Sequence, residues 1–185
     1  EFTGLEDIIT PDAITVNGFA GAEGIIPFAD TASQQGKGIF VWIRSSNPTA
    51  AAVQDFADAS GKKMYQKYAE VVAEIANQNK RLGAEGYSNV GMVVGGTTPQ
   101  ETAKLREIYP NIWFLVPGLG AQNATPADCL RFTNKDGLGA LINSSRSIIY
   151  AYEKPKYRDQ FGDDWQKCIE QATKDTIAEI EKAKQ

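Results

Sequence analysis

The sequence predicts an α/β fold in which short parallel strands alternate with helices. Five short apolar runs recur along the chain, and several of them are followed by glycine, serine or asparagine. Segments with helical spacing separate these runs. Strands buried on both faces form continuous apolar runs, and strands that alternate with helices form parallel sheets. The chain therefore fits a parallel sheet joined by crossover helices.

The first two strands are predicted over residues 12–17 and 38–44. Residues 22–35, between them, are predicted to form a helix that stops at Gly36, because glycine commonly follows a helix end. The second strand leads into the loop Ser45-Ser-Asn-Pro-Thr49.

A long amphipathic helix is predicted next, over residues 62–82, with Gly83 as its C-terminal cap. Its apolar residues recur at three-, four- and seven-residue steps, which places them on one helical face. These residues are Met64, Tyr68, Val71, Ile75 and Leu82.

The third and fourth strands are predicted over residues 89–95 and 112–116. A Thr-Pro pair follows each of them, and a helix should begin there with threonine as the cap and proline in the first helical position. Thr98-Pro99 starts the first of these helices, which runs to about residue 109, and Thr125-Pro126 starts the second.

The fifth strand is predicted over residues 138–143, and residues 150–165 are expected to be an exposed connection. Residues 164–184 then form an amphipathic helix. The stripe of this helix contains Trp165, Ile169, Ala172, Thr176 and Ile180.

Chain length selects among the parallel folds. A (β/α)8 TIM barrel typically needs about 250 residues, whereas this chain has 185 residues and five predicted strands. We therefore expect residues 1–185 to be the C-terminal portion of a single TIM-barrel domain, covering approximately strands four to eight and the C-terminal helix. The polar start, from Glu1 to Asp7 without an initiator Met, suits a chain that lacks strands one to three. A doubly wound open sheet is the alternative, since five strands suffice for it.

Composition excludes several classes of function. The net charge is −4 and the basic residues are scattered, so neither nucleic acid nor a membrane surface is an expected partner. No apolar run reaches the roughly 18 residues of a membrane span, and no signal peptide is visible, which favours a cytoplasmic protein. The absence of histidine excludes Ser-His-Asp chemistry and most zinc sites. Cys129 and Cys168 are expected to be buried, reduced thiols.

Two segments predict an anion site. Residues 112–122 and 139–146 each run from a strand into small, hydrogen-bonding residues. Gly118 and Gly120 let backbone N–H groups approach an anion, Gln122 can donate from its amide, and Arg146 offers a charged planar fork. In barrels, the last two strands often build a phosphate site at their carboxyl ends.

Five motifs, in family order, resemble the orotidine 5′-phosphate decarboxylase family. They are Asp12-Ala-Ile-Thr-Val-Asn-Gly-Phe19, Arg44-Ser-Ser-Asn-Pro48, Val93-Val-Gly-Gly-Thr-Thr-Pro99, Pro117-Gly-Leu-Gly-Ala-Gln122 and Ser144-Ser-Arg-Ser-Ile-Ile-Tyr150. The Ser-Asn-Pro loop and the Asn-Ser-Ser-Arg turn resemble the longer bacterial subgroup. Asn17-Gly-Phe-Ala-Gly21 departs from the Pro-Tyr-Leu-Gly that is often found there, which leaves the role of this loop open.

The resemblance implies a cofactor-free and metal-free decarboxylation of orotidine 5′-monophosphate to UMP and carbon dioxide, in pyrimidine biosynthesis. It implies that Gln122, Arg146 and the backbone N–H of Ser145 hold the phosphate. It also implies that Ser46 meets the pyrimidine edge and that Pro117 lies against the base. Further candidates are Ser45, as the alternative to Ser46, with Gly118, Gly120 and Asn17. For Ser46, a helix cap or a turn before Pro48 is the structural alternative.

The catalytic motif of the family is missing. The family uses an Asp-x-Lys-x-x-Asp motif whose lysine protonates the carbanion, and this motif occurs nowhere in the 185 residues. Lys62, Lys63 and Lys135 are expected at the solvated surface, and Asp12 at the amino end of the first strand. No catalytic residue is therefore assigned to this chain, which is expected to be inactive alone.

Three interpretations compete. The chain is part of a decarboxylase that needs its N-terminal barrel segment, or a non-catalytic phosphate-binding fragment, or another ribulose-phosphate-binding barrel enzyme. The Ser-Asn-Pro loop favours the decarboxylase. The resemblance also implies a homodimer, and unpaired sheet edges would need cover.

Overall fold

A computed structural model describes residues 10–184 of the chain; the polar start, Glu1 to Asp7, lies outside this range. The described residues contain one five-stranded sheet whose spatial order, β1-β2-β3-β4-β5, is the order along the chain. The strands are β1 (Ala13–Asn17), β2 (Gly38–Arg44), β3 (Ser88–Val94), β4 (Ile112–Pro117) and β5 (Ala140–Asn143). All neighbouring pairs are parallel.

Helices follow each strand. They are α1 (Ala22–Gln34), α2 (Ala51–Gln54), α3 (Met64–Ala76), α4 (Pro99–Thr102), α5 (Lys104–Ile108), α6 (Pro126–Leu130), α7 (Arg146–Ile149), α8 (Pro155–Phe161) and α9 (Trp165–Ala183). Short 3-10 turns occupy Pro48–Ala50, Asn79–Arg81 and Ala151–Glu153. The predicted alternation of strands and helices is confirmed.

The strand order decides between the two parallel folds. A doubly wound sheet reverses its strand order at a switch point, whereas β1 to β5 follow one another without reversal. Parallel crossovers are right-handed, so a sequential order places the helices on one face of the sheet, as in a barrel. The open-sheet alternative does not fit.

The core lies between that face of the sheet and the helices. Alternate residues of the three central strands are buried there, among them Val41, Met92 and Phe114. Small residues of α3, such as Ala69 and Ala76, let this helix lie close to the strands.

A row of side chains crosses the opposite face. The registers pair Asn17 with Trp42, Trp42 with Val93, Val93 with Leu115, and Leu115 with Leu141. Trp42 is 49% exposed and Leu141 is 47% exposed. In a closed barrel this face would be the interior, so large apolar side chains there indicate a surface built to be covered.

Two helical predictions need correction. The long helix ends at Ala76, and Leu82 lies beyond it and is exposed. Of the predicted stripe, Ile75 is buried, and Tyr68 and Val71 are partly buried against the core. The buried face also includes Tyr65, Ala69 and Val72. The buried face is wider than the predicted stripe because small alanines, which a pattern of large apolar residues leaves out, also pack in the core.

The C-terminal region also differs from expectation. The segment predicted as an exposed connection contains α8, and its Tyr157 and Ala151 are buried against Cys168 and Ala172 of α9. Trp165, predicted in the buried stripe, is 54% exposed. The rest of the predicted stripe is buried or partly buried, namely Ile169, Ala172, Thr176 and Ile180. Cys168 is buried in addition, because α8 packs against α9 there.

Cys129 and Cys168 are both buried and free, as predicted. Within residues 10–184, no helix is both long and apolar enough to cross a membrane.

Candidate functional site

Three loops at the carboxyl edge of the sheet form one cleft of about 340 Å³. They follow β2, β4 and β5, and each brings a predicted binding residue to the cleft. The lining residues include Ser45, Ser46, Pro117, Gly118, Gln122, Ser145 and Arg146. Trp42, Val93 and Leu115 form the floor of the cleft. They belong to the row of side chains on the sheet face opposite the helices.

The loop after β4, residues 117–122, is called the glycine loop. Gly118 and Gly120 have φ values of 122° and 75°, and Asn123, just after the loop, has a φ of 66°. Glycine adopts such angles at little cost, and asparagine is among the few other residues that tolerate the left-handed region. The backbone then closes on itself, because Gly120 N donates to Ala124 O at 3.1 Å and Ala124 N donates to Gly118 O at 3.2 Å.

Ser46 is buried and joined to the glycine loop. Its Oγ donates to Gln122 Oε1 at 2.7 Å. The close approach of Gly95, which follows β3, helps to fix it, since a Cβ added to Gly95 would lie 2.7 Å from Ser46 N. Ser46 therefore bridges the loops after β2 and β4.

Ser45 has a different role in the loop after β2. Its Oγ accepts from Asn47 N at 3.1 Å, and its own N–H donates to Gln54 Oε1 at 2.9 Å. The local turn that is the structural alternative for Ser46 is thus made by the hydroxyl of Ser45. Ser45 holds the loop, and Ser46 turns toward Gln122.

Arg44 is a supporting residue that the sequence prediction did not single out. Its side chain is 4% exposed, and its Nε lies 3.1 Å from Asp55 Oδ1. Its Nη1 donates to Ser45 O at 3.0 Å and to Gln54 Oε1 at 3.3 Å. A buried guanidinium thus ties the start of the loop after β2 to α2. Its position at the end of an apolar strand was the available signal.

Arg146 begins α7 and is exposed on the cleft wall. Among residues 10–184, its guanidinium has no hydrogen bond or ion pair. The neighbouring Ser145 donates from Oγ to Asn143 Oδ1 at 3.1 Å. Arg146 carries the only charge among the described residues that line this cleft.

Pro117 and Asn17 differ in their position relative to the cleft. Pro117 lines the cleft and pairs in register with Asn143 of β5. Asn17, at the end of β1, is not among the described lining residues, and its Oδ1 accepts from Phe19 N at 2.9 Å. The sequence prediction missed Trp42 and Asn143, whose place follows from strand register rather than from any local motif.

The chemistry available in the cleft is that of binding. A free guanidinium suits an anionic group, and the Ser46–Gln122 pair suits a polar planar ring. The described lining residues include neither a carboxylate nor a lysine. In residues 10–184, no cluster of cysteine and carboxylate side chains could hold a metal ion.

Comparison with known proteins gives consistent matches. The model of the "Orotidine 5'-phosphate decarboxylase / HUMPS family" matches residues 10–158. The orotidine 5'-phosphate decarboxylase of Caldicellulosiruptor bescii is 42% identical over 148 residues, which are 80% of this chain and 48% of that protein. That of Haloarcula marismortui is 42% identical over 164 residues, 88% of this chain and 54% of that protein. The chain thus spans about half the length of these relatives.

Solved structures also resemble this chain. Leishmania donovani UMP synthase superposes with a TM-score of 0.65 and 29% identity, over 91% of this chain and 33% of that one. Leishmania donovani OMP decarboxylase gives a TM-score of 0.62 and 28% identity, over 88% of this chain and 55% of that one. The structural neighbours are TIM barrels, which confirms the predicted fold class. The chain belongs to the orotidine 5'-phosphate decarboxylase / HUMPS family.

Proposed function

We propose that this chain binds orotidine 5′-monophosphate and its product UMP, as the substrate-binding part of a cofactor-free decarboxylase of pyrimidine biosynthesis. One observation carries the proposal. Ser46, Gln122 and Arg146, which are far apart in sequence, line a single cleft. Relatives named orotidine 5'-phosphate decarboxylase support the choice of ligand.

The phosphate would lie at Arg146. Its guanidinium can bind two phosphate oxygens at once, which a lysine cannot do. Gln122 accepts from Ser46 through Oε1, so its Nε2 remains the donor for the same anion. The backbone N–H of Ser145, next to Arg146, is proposed as a further donor.

The base would lie between Ser46 and Pro117. The Ser46 hydroxyl donates to Gln122, so its lone pairs can accept from the imide N–H of a pyrimidine. The ring of Pro117 supplies an apolar surface on the cleft wall. Gln122 thus touches the residues proposed for both ends of the nucleotide.

Bond breaking needs residues from elsewhere. The Asp-x-Lys-x-x-Asp motif is absent from the sequence, and the described lining residues of the cleft offer no acid or base in its place. We therefore infer that the chain alone is inactive and that it corresponds to the C-terminal portion of one barrel domain. The exposed side chains of Trp42 and Leu141 support a missing partner segment. A cytoplasmic homodimer is proposed on the resemblance alone.

A decarboxylation assay tests the proposal. The chain is assayed with orotidine 5′-monophosphate by itself and after fusion to the segment of a full-length relative that carries the Asp-x-Lys-x-x-Asp motif. We expect UMP only from the fusion, and a fusion carrying Arg146→Ala should lose at least tenfold in kcat/KM. UMP binding without activity in any fusion would favour the non-catalytic alternative, and no UMP binding at all would contradict the proposal.

A further inference from the structure

Ser147 joins the two parts of the proposed phosphate site. It follows Arg146 directly on α7, and its Oγ accepts from Ala121 N of the glycine loop at 3.1 Å. The same hydroxyl donates to Leu119 O at 3.3 Å. One side chain thus contacts both a donor and an acceptor of the glycine loop.

Ser144 strengthens this contact. Its Oγ lies 3.1 Å from Leu119 O and 3.1 Å from Ser147 Oγ. Since each hydroxyl has one proton, the pair forms a short chain in which Ser144 supports Ser147 or Leu119 O. Lys154 Nζ also donates to Ser147 O at 2.8 Å, which ties the backbone of α7 to the segment before α8.

Steric contact gives an independent indication. A Cβ added to Gly120 would lie 2.6 Å from Ser147 Oγ and 3.2 Å from Ser147 Cβ. The backbone of the glycine loop is therefore pressed against this serine. Such contacts fix the distance between the loop and α7, and hence between Gln122 and Arg146.

We propose that Ser147 is a positioning residue that holds the glycine loop and Arg146 in the arrangement that binds phosphate. The inference rests on the function proposed above. Ser147 itself need not touch the ligand, because its hydroxyl is occupied by Ala121 N and Leu119 O. Its loss should weaken binding of the phosphate group and leave binding of the nucleoside unchanged.

The experiment compares UMP with uridine in NMR titrations of the whole chain. Ser147→Ala should raise the Kd for UMP at least fivefold and that for uridine less than twofold. In the free protein, the amide proton of Ala121 should move upfield, because it loses its hydroxyl acceptor. Ser144→Ala should show the same pattern with a smaller change.

Ser33→Ala is the matched control. Ser33 Oγ also has three partners, Ala29 O, Arg81 Nη1 and Asn89 Nδ2, but it lies near the amino edge of the sheet. It should lower stability without changing the ratio of the UMP and uridine Kd values. If Ser147→Ala binds UMP like the wild type, or loses affinity for UMP and uridine equally, the role of Ser147 is overturned. The proposed function would not be contradicted by either result. Failure of the wild-type chain to bind UMP would contradict the proposed function and this inference together.

Discussion

Ser46 Oγ donates a hydrogen bond to Gln122 Oε1 at 2.7 Å, across 76 residues of sequence. The bond connects the loop after β2 with the glycine loop after β4. It orients the amide of Gln122, so that Nε2 rather than Oε1 is available to an anion. The proposed base site and phosphate site are therefore mechanically linked.

Removing the Ser46 hydroxyl should weaken UMP binding. Ser46→Ala loses one hydrogen bond to the base and releases Gln122, and each such bond is worth about 1 kcal/mol, roughly a fivefold change in Kd. We expect the Kd for UMP to rise about five- to tenfold in calorimetric titrations. Ser60→Ala, which removes an exposed hydroxyl bonded to Asp58, is the control. Equal affinities of the Ser46→Ala and wild-type chains would argue against a role for Ser46.

Gly120→Ala should disturb the site more than the fold. Gly120 has a φ of 75°, and its added Cβ would overlap Ser147 Oγ. Gly137 has a φ of 82° with no atom within 4 Å of an added Cβ. The left-handed φ should lower the free energy of unfolding of both variants by about 1 to 2 kcal/mol. Urea unfolding measures this change. Only Gly120→Ala should also weaken UMP binding; a similar loss in Gly137→Ala would point to a general effect.

Arg44→Met should destabilise the chain. The substitution removes a buried guanidinium and leaves Asp55 without its partner, which costs roughly 3 kcal/mol for a largely buried pair. Lys37→Met breaks an ion pair with the fully exposed Asp12, and should change the free energy of unfolding by less than about 1 kcal/mol. Urea denaturation compares the two. Equal losses would mean that Arg44 does not support the loop after β2.

Cys129 should resist alkylation and make stability depend on alkaline pH. Burial raises the pKa of the Cys129 thiol to about 11, from an ordinary value of 9.0. Well below pH 9 the thiol is protonated in both states and has no effect on stability. Between pH 9 and 11 the unfolded chain releases this proton first, so stability falls as pH rises.

The measurement is urea unfolding at pH 8 and pH 10, with Cys129→Ala as the comparison. The wild-type chain should lose more stability over this range than the variant does. Iodoacetamide at pH 8 should label Cys129 only after unfolding, as mass spectrometry of the peptides would show. Rapid labelling of the folded chain would contradict the burial of this thiol.

Strand positions were predictable from the sequence because each strand is a compact apolar run. The predicted bounds of β2 match the observed Gly38–Arg44, and the Thr125-Pro126 cap of α6 makes the expected hydrogen bond from Asp128 N. Helix faces were less predictable. The buried side of α3 depends on alanines whose closeness to the sheet is a tertiary property, and the burial of Tyr157 depends on how α8 packs against α9.

In the candidate site, too, local features could be predicted from the sequence and tertiary ones could not. Gly118, Gln122 and Arg146 could be proposed from the sequence, because each follows an apolar strand and its anion-binding chemistry is local. Trp42 and Ser147 could not be found in this way. The first reaches the cleft through strand register, and the second acts through a hydroxyl whose partners lie 26 and 28 residues earlier.

Calorimetric titration of UMP into the wild-type chain, Arg146→Ala and Arg131→Ala is the decisive measurement. Charge-assisted bonds contribute about 1.5 to 3 kcal/mol, so a phosphate site at Arg146 predicts a Kd at least tenfold higher for Arg146→Ala. Arg131, an exposed arginine at the end of α6, should be replaceable without effect. Equal Kd values for the wild-type and Arg146→Ala chains, or no binding of UMP by the wild-type chain, would contradict a phosphate site at Arg146.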